Sequence, residues 1–194
     1  MIERIVLEKL YKQGLSLHEI ADKHGISCSQ VVYWARKYNL PRRSHSEATY
    51  LKRNPAGDPF RLRHAYSVKD AFLEGLGLGV YWGEGNKKNR EAIRLGNTNA
   101  RLVKKFIEFL TRNYQIDKKR LRFGVQIFSD TSPELALQYW QKELGFPQSH
   151  FQKVVVTRAR SIGTYKEKSK YGVLTVYYCN KKLRDIINHK IENL

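Results

Sequence analysis

The stretch from Gly75 to Gly85 limits what this chain can fold into, because five of its eleven residues are glycine and most of the others are apolar. An apolar run favours a helix or a buried strand, whereas each glycine inside a helix costs about 0.5–1 kcal/mol relative to alanine. Gly79 and Gly83 continue a four-residue spacing from Gly75, so on a helix the three form one stripe without Cβ atoms. A second helix can approach such a stripe closely, and the dispersion contacts offset the glycine cost. We therefore predict a helix–helix interface; the run is too short to span a membrane.

The residue after this stripe, Glu84, would end the helix, with Gly85 as the stop residue. A carboxylate there is disfavoured by the helix dipole by a few tenths to about 1 kcal/mol. If the stripe pairs with its own copy, two such carboxylates meet and must be protonated or share a cation. A divalent metal with oxygen ligands resolves that conflict.

The nine residues from Gly77 to Gly85 resemble the motif that names the LAGLIDADG homing endonucleases. Gly79 and Gly83 fall on its small packing positions and Glu84 falls on its catalytic acid, where glutamate is a common variant. The first position departs from the family, which usually has leucine where this chain has Gly77. The alternative interpretation is a buried glycine-rich helix or loop that happens to end in Glu-Gly.

The pattern of capping, turn and apolar residues over 2–40 predicts three short helices. Ser16 and Glu19 have the spacing of a capping box, Gly25 marks a tight turn, and Ser27 begins the third helix. This is the helix-turn-helix plan, and the segment resembles the three-helix DNA-binding modules of resolvases and transposases. The resemblance implies that the third helix enters the major groove and places its cationic end near phosphates. The residues concerned are Ser27, Ser29, Gln30 and Tyr33 for the groove, and Arg36 and Lys37 for the phosphates. A dimerisation or protein-docking module is the alternative.

A boundary follows this module. Arg42 and Arg43 form a short basic arm after Pro41, suited to a minor groove or to a plain solvated linker. Residues 46–67 combine prolines and charges with little periodicity, which is typical of a linker. We therefore predict a helix-turn-helix domain over 1–45, a linker over 46–67 and a second domain over 68–194.

The second domain shows a helix, a strand near 92–97, a helix capped by Asn97 or Asn99, and a strand near 120–128. A helix then begins at Ser132-Pro133, followed by strands near 153–160 and 172–179 and a helix over 181–192. This order resembles the αββαββα plan of the LAGLIDADG domain, with a saddle-shaped antiparallel sheet and an added helix near 132–144. The predicted fold class is α+β.

The resemblance implies a sequence-specific double-stranded DNA endonuclease, that is, a homing endonuclease or meganuclease. Family members with one motif act as homodimers, so the target is near-palindromic. Glu84 and Gly83 would hold Mg²⁺, with Mn²⁺ as a substitute and Ca²⁺ supporting binding without cleavage. The predicted dimer interface consists of Gly75, Leu76, Leu78, Gly79 and Gly83. Predicted auxiliary active-site residues are Asn97, Asn99, Lys153 and Lys170, and predicted groove contacts are Arg94, Arg120, Arg122, Gln126 and Arg158.

The charge agrees with a polyanionic partner. The chain has 36 Lys and Arg against 18 Asp and Glu, a net charge of +18, and both halves are basic. A ribosomal-type or merely soluble basic surface is the alternative. Two widely spaced cysteines favour a reducing compartment, and we expect a cytoplasmic, nucleoid-associated protein of a prokaryote or phage. The sequence has no GxxxxGK[ST] motif and its histidines form no zinc motif, so we expect neither a nucleotide cofactor nor zinc.

Two other functions compete with the endonuclease. Some bacterial proteins join a helix-turn-helix to a LAGLIDADG-like domain that regulates transcription without cutting DNA, and some family members are RNA-splicing maturases. Glu84 favours cleavage, because a pure DNA binder gains nothing from an anion that faces phosphates.

Overall fold

A computed structural model describes residues 2–63, 67–158 and 169–193 of the chain. It divides into two compact units, Met1–Pro59 and Phe60–Leu194, which we call the N-terminal unit and the C-terminal unit. The described residues contain eight α-helices and a four-stranded mixed sheet, which is an α+β architecture. None of the described helices combines the length and the apolarity needed to cross a membrane.

The N-terminal unit begins with three helices, α1 (Arg4–Lys12), α2 (Leu17–His24) and α3 (Cys28–Lys37). The predicted capping box before α2 is present, since the Ser16 side chain accepts from the Glu19 N–H and the Glu19 side chain accepts from the Ser16 N–H. Gly25 ends α2 in the left-handed conformation, with φ of 61°. The core of the unit consists of Ile2, Leu7, Leu10, Ile20, Ala21, Val31 and Ala35.

The stretch predicted as a linker contains a further helix, α4 (His45–Arg53). Its N-terminus has a capping box between Ser44 and Glu47, a local signal present in the sequence. No residue of α4 is buried, so the apolar periodicity that identifies a packed helix is missing there. The linker prediction is therefore wrong for this segment, and the division between the units falls after Pro59.

The C-terminal unit alternates helices and strands. Its elements are α5 (Val68–Glu84), β1 (Ile93–Asn97), α6 (Ala100–Asn113), β2 (Leu121–Phe128), α7 (Pro133–Leu144), β3 (Val155–Thr157), β4 (Val173–Tyr178) and α8 (Lys181–Glu192). The predicted starts of α6 and α7 are confirmed, because Asn99 and Ser132 accept hydrogen bonds from the first turns of these helices. The sequence of residues 161–170 predicts a polar, basic connection between the last two strands, and most of it lies outside the described residues.

The strand order is β1-β4-β2-β3. β4 is antiparallel to both β1 and β2, as predicted, whereas β3 is parallel to β2. The prediction of an antiparallel sheet is thus wrong at this edge, because α7 carries the chain across before β3 begins. Between α5 and α6, where the αββαββα plan has two strands, the structure has β1 and one isolated bridge, Gly85 to Leu95.

The core of the C-terminal unit lies between the helices and one face of the sheet. β2 alternates as predicted, with Leu121, Phe123, Val125 and Ile127 buried. These residues meet the buried side of α5 and α6, which contribute Leu73, Leu78, Tyr81, Val103, Phe106, Phe109 and Leu110. The opposite face of the sheet carries polar and basic side chains.

Candidate functional site

One side of α5 is uncovered. An added Cβ at Gly75, Gly79 or Gly83 would meet no atom within 4 Å, so the predicted stripe lies in open space. Exposed apolar side chains accompany the stripe, with Phe72 72% exposed and Trp82 59% exposed. The glycine cost of the helix is therefore not offset by packing at these positions among the described residues.

The other side of α5 belongs to the core. Leu78 is 4% exposed and lies in the core cluster, so its prediction as an interface residue is wrong. Leu76 is 38% exposed and remains on the open side. Gly77 faces the core instead of the open side and leaves room for the Phe109 ring, because a Cβ at this position would lie 2.1 Å from Cγ of Phe109.

The carboxyl end of α5 presents Glu84 to solvent. Within the described part of the chain, its carboxylate has no hydrogen bond and no ion pair. Gly85 is extended, with φ of −73°, and does not stop the helix by a left-handed turn as expected. Glycine is needed there because a Cβ would lie 2.3 Å from the Tyr81 carbonyl oxygen.

The last carbonyls of α5 have distinct partners. The Tyr81 carbonyl accepts from the Gly85 N–H at 2.9 Å, and the Trp82 carbonyl accepts from the Lys87 ammonium. Lys87 thereby brings a positive charge to the negative end of the helix, next to Glu84. Lys87 was not among the residues predicted from the sequence, where its only signal is its place three residues after the acid.

The segment after Glu84 is held in place from two sides. The Asn86 N–H donates to the Arg94 carbonyl at 2.9 Å, and Nη2 of Arg184 donates to the Lys87 carbonyl at 2.9 Å. Arg184 is also paired with Asp185 at 2.7 Å and is 15% exposed. Both β1 and α8 therefore fix the backbone that carries the candidate acid.

The amino end of α5 carries a buried charge cluster. Asp70, 3% exposed, accepts from the Ser67 hydroxyl at 2.9 Å, from Arg63 at 3.1 Å and from Arg112 at 2.8 Å. The Ser67 hydrogen bond and the two guanidinium groups hold the pKa of Asp70 below its ordinary value, although burial opposes this shift. This cluster joins α5 to α6.

The predicted auxiliary residues do not gather around Glu84 through any contact among the described residues. Asn99 caps α6 by accepting from the N–H groups of Arg101 and Leu102, and the Asn97 side chain accepts from the Asn99 N–H at 2.8 Å. Both side-chain oxygens therefore have local structural roles. Lys153 and Lys170 are exposed, and Lys170 lies over the ring of Tyr171.

The outer face of the sheet carries most of the predicted groove contacts. Arg94 and Arg122 lie on this face, while Gln126 donates to the Thr157 hydroxyl at 3.1 Å. Arg120 is not on the strand as predicted. It ends a 3₁₀ turn and lies 3.7 Å from the Asp117 carboxylate. Arg158 follows β3 and is exposed.

In the N-terminal unit, two of the predicted groove residues have another role. Ser27 accepts from the Gln30 N–H and the Gln30 side chain accepts from the Ser27 N–H, so both cap α3. Ser29, Tyr33, Arg36 and Lys37 remain exposed, and Lys37 lies 4.9 Å from the Trp34 ring centroid.

The predicted basic arm is partly fixed. Arg43 stacks on Tyr11 at 3.8 Å and donates to the Leu15 carbonyl at 3.2 Å, so its guanidinium is held within the unit. Arg42 is exposed. Only Arg42 of the two therefore remains in the extended arm that the sequence predicted.

The described residues contain no group of three His, Cys, Asp or Glu side chains placed to hold a metal ion. The chain matches no protein-family model, no curated protein and no solved structure.

Proposed function

We propose that this protein is a homodimeric, Mg²⁺-dependent, sequence-specific endonuclease of double-stranded DNA, of the LAGLIDADG type. One observation carries the proposal: a bare, uncovered glycine stripe on α5 leads directly into an exposed carboxylate without a partner among the described residues. A chain that keeps glycines on an open helix face gains nothing from them as a monomer.

The partner proposed for this face is a second copy of the chain. The glycines permit close backbone approach, and the flanking apolar residues Val68, Phe72 and Trp82 would lose their exposure to water. A two-fold axis along this face would place the same surface of each copy against the other. The two Glu84 residues would then lie at the same end of the interface.

The donors fit a hard cation. Glu84 supplies a carboxylate, and the neighbouring Gly83 carbonyl lies in the last turn, where a helix leaves its carbonyls without N–H partners. A bound Mg²⁺ would activate water and stabilise the leaving oxygen. The chain itself holds the backbone next to Glu84, because Arg184 and β1 bind the segment that follows it.

The DNA surface proposed for the C-terminal unit is the outer face of the sheet, with its row of basic and polar side chains. The N-terminal unit would add contacts through the exposed side of α3. The net charge of +18 supports both proposed DNA surfaces, because it raises the local concentration of DNA at the protein.

A transcription regulator that binds without cutting is the second candidate. It is favoured by the N-terminal unit, which has its own core and a third helix with exposed Ser29, Tyr33 and Arg36. The two candidates differ in one measurable property, cleavage in the presence of Mg²⁺.

The test is selection of cleaved sites from a random double-stranded DNA library, using the full chain with Mg²⁺ and with Ca²⁺. We expect cut, near-palindromic sites with Mg²⁺ and bound, uncut sites with Ca²⁺. Glu84→Gln should lower the cleavage rate by on the order of 10³-fold, because several kcal/mol of metal-dependent stabilisation is lost. Glu91→Gln, at an exposed position in the next segment, is the matched control and should cut normally.

Binding without cleavage under both metals would favour the regulator. Equal cleavage by Glu84→Gln and by the unmodified chain would remove Glu84 from the proposed active site.

A further inference from the structure

The outer face of the sheet contains one in-register row formed by Arg94, Tyr177 and Arg122. Arg94 pairs with Tyr177 across β1 and β4, and Arg122 pairs with Tyr177 across β2 and β4. Their chain neighbours point into the core, so all three side chains project from the same face. An aromatic side chain thus stands between two arginines.

Tyr177 has little freedom to move, because its ring lies over Gly124 of β2. A Cβ on Gly124 would lie 3.1 Å from Cε2 and 3.3 Å from the hydroxyl oxygen of Tyr177. The next row of the sheet consists of Gly96, Thr175 and Gly124, so small residues surround the ring on that side. The Tyr177 ring therefore packs over the small residues of the neighbouring row and forms a platform on the outer face.

Arg94 lies against this platform. Its guanidinium carbon is 5.0 Å from the Tyr177 ring centroid. Its Nε is buried and has no hydrogen-bond partner, and the guanidinium has no ion pair among the residues that the structure describes. Tyr177 is the one described contact of this guanidinium, so its two terminal nitrogens remain available to a ligand on the outer face of the sheet.

Arg122, at the other end of the row, is different. Its Nη1 donates to the carbonyls of Lys119 and Leu121, both at 2.7 Å. These two bonds turn the guanidinium back toward its own backbone. Arg122 therefore contributes positive charge to the surface while part of its donor fork is already occupied.

We propose that Arg94 determines specificity by recognising a guanine in each half-site of the DNA target, and that Tyr177 positions it. This inference rests on the proposed DNA-binding function. The planar guanidinium fork matches the O6 and N7 acceptors of guanine, which lie side by side in the major groove. Arg122 contacts the DNA through charge alone and adds affinity without sequence preference.

The test measures binding of the full chain to its selected site in Ca²⁺, so that cleavage does not interfere. Each guanine of the site is replaced in turn in both half-sites, and the unmodified chain is compared with its variants. We expect one symmetric guanine at which replacement weakens binding of the unmodified chain roughly 10- to 100-fold. Arg94→Ala should lose that discrimination, whereas Arg94→Gln should shift the preference toward adenine at the same position.

Four further variants separate recognition from folding and from charge. Arg94→Lys keeps the charge but not the fork, so it should lose the guanine preference while the salt dependence of binding stays unchanged. Tyr177→Phe keeps the ring and should keep the preference, whereas Tyr177→Leu should relax it at that position. Arg122→Ala should weaken binding to all sites alike and reduce the salt slope by about one.

The proposal would be overturned if Arg94→Ala weakened binding to all DNA sites equally, or if Arg94→Lys kept the guanine preference. Either result would leave the DNA-binding function intact. If Arg94→Ala fails to fold, as judged by its melting curve, Arg94→Lys carries the test. Failure of the unmodified chain to bind any DNA would instead refute the proposed function.

Discussion

The ring of Phe109 occupies the space where a side chain on Gly77 would begin, with Cγ of the ring 2.1 Å from the position of an added Cβ. Phe109 is fully buried, and its ring is tilted against that of Phe106 and edge-on to that of Tyr114. The packing of Phe109 of α6 against α5 therefore requires this glycine, which lies on the side of the helix opposite to the open stripe.

Gly77→Ala should destabilise the C-terminal unit by about 1–3 kcal/mol, because the added methyl group displaces a buried ring in a well-packed core. Urea unfolding in dilute protein, where the copies are separated, measures the free energy of unfolding. Gly75→Ala is the matched control, since open space surrounds it. It should raise the stability by about 0.5–1 kcal/mol through helix propensity. An equal effect of the two substitutions would contradict the assignment of the two sides of α5.

Gly79→Leu should leave each copy folded and abolish the dimer. Leucine favours a helix more than glycine does, and an added Cβ meets nothing within 4 Å in the single chain. Between two copies, the same side chain would hold the helices apart. Sedimentation equilibrium over a range of protein concentrations measures the association.

Gln138→Leu places the same side chain at an exposed position on α7 and should leave the association unchanged. A dimer of Gly79→Leu as tight as that of the unmodified chain would mean that α5 is not the interface.

Elements with local signals were predictable from the sequence. The capping residues Ser16, Asn99 and Ser132 begin helices as expected, because a cap and the turn that it stabilises are neighbours in the chain. The alternation in β2 likewise identified its buried face. The Ser44 capping box before α4 was equally local, but without a buried face it did not stand out.

Features that depend on distant contacts were not predictable. The sequence of an apolar helix with glycines on two sides does not reveal which side packs on the core of its own chain. Leu78 was therefore predicted on the open side of α5, whereas it is buried in the core. The parallel pairing of β3 depends on where α7 returns the chain. The contact of Arg94 with Tyr177 exists only through the register of β1 against β4.

The Asp70 cluster predicts how stability depends on acid. The pKa of Asp70 is lowered in the folded protein, so its contribution is fully present above the ordinary pKa of 3.8. That contribution is lost as the pH falls from there toward the folded pKa. Asp70→Asn should lower the melting temperature at pH 7 and should flatten the loss of stability below pH about 4.

Ser67→Ala tests the cause of this shift. It removes the hydroxyl that donates to Asp70 and also the N-cap of α5, while Arg63 and Arg112 remain. Stability should fall by about 1 kcal/mol at neutral pH, and the dependence on acid should become shallower but persist. Melting curves from pH 2 to 7 measure both effects. An acid dependence of Asp70→Asn as steep as that of the unmodified chain would assign the effect to other carboxylates.

The roles of Ser27 and Tyr33 in the N-terminal unit should separate into stability and DNA recognition. The Ser27 hydroxyl accepts from the Gln30 N–H at 3.3 Å, so Ser27→Ala removes a cap and should cost about 1 kcal/mol of stability. The preference of the Ser27→Ala variant for particular DNA bases, measured in Ca²⁺ on the selected site, should not change. Tyr33 is 58% exposed and lies in the middle of α3, where it has no capping role. Tyr33→Ala should leave the melting temperature nearly unchanged and weaken binding to the flanking bases. If Ser27→Ala alters the preferred bases and Tyr33→Ala does not, the cap hydroxyl faces the groove after all, and α3 docks by its amino end.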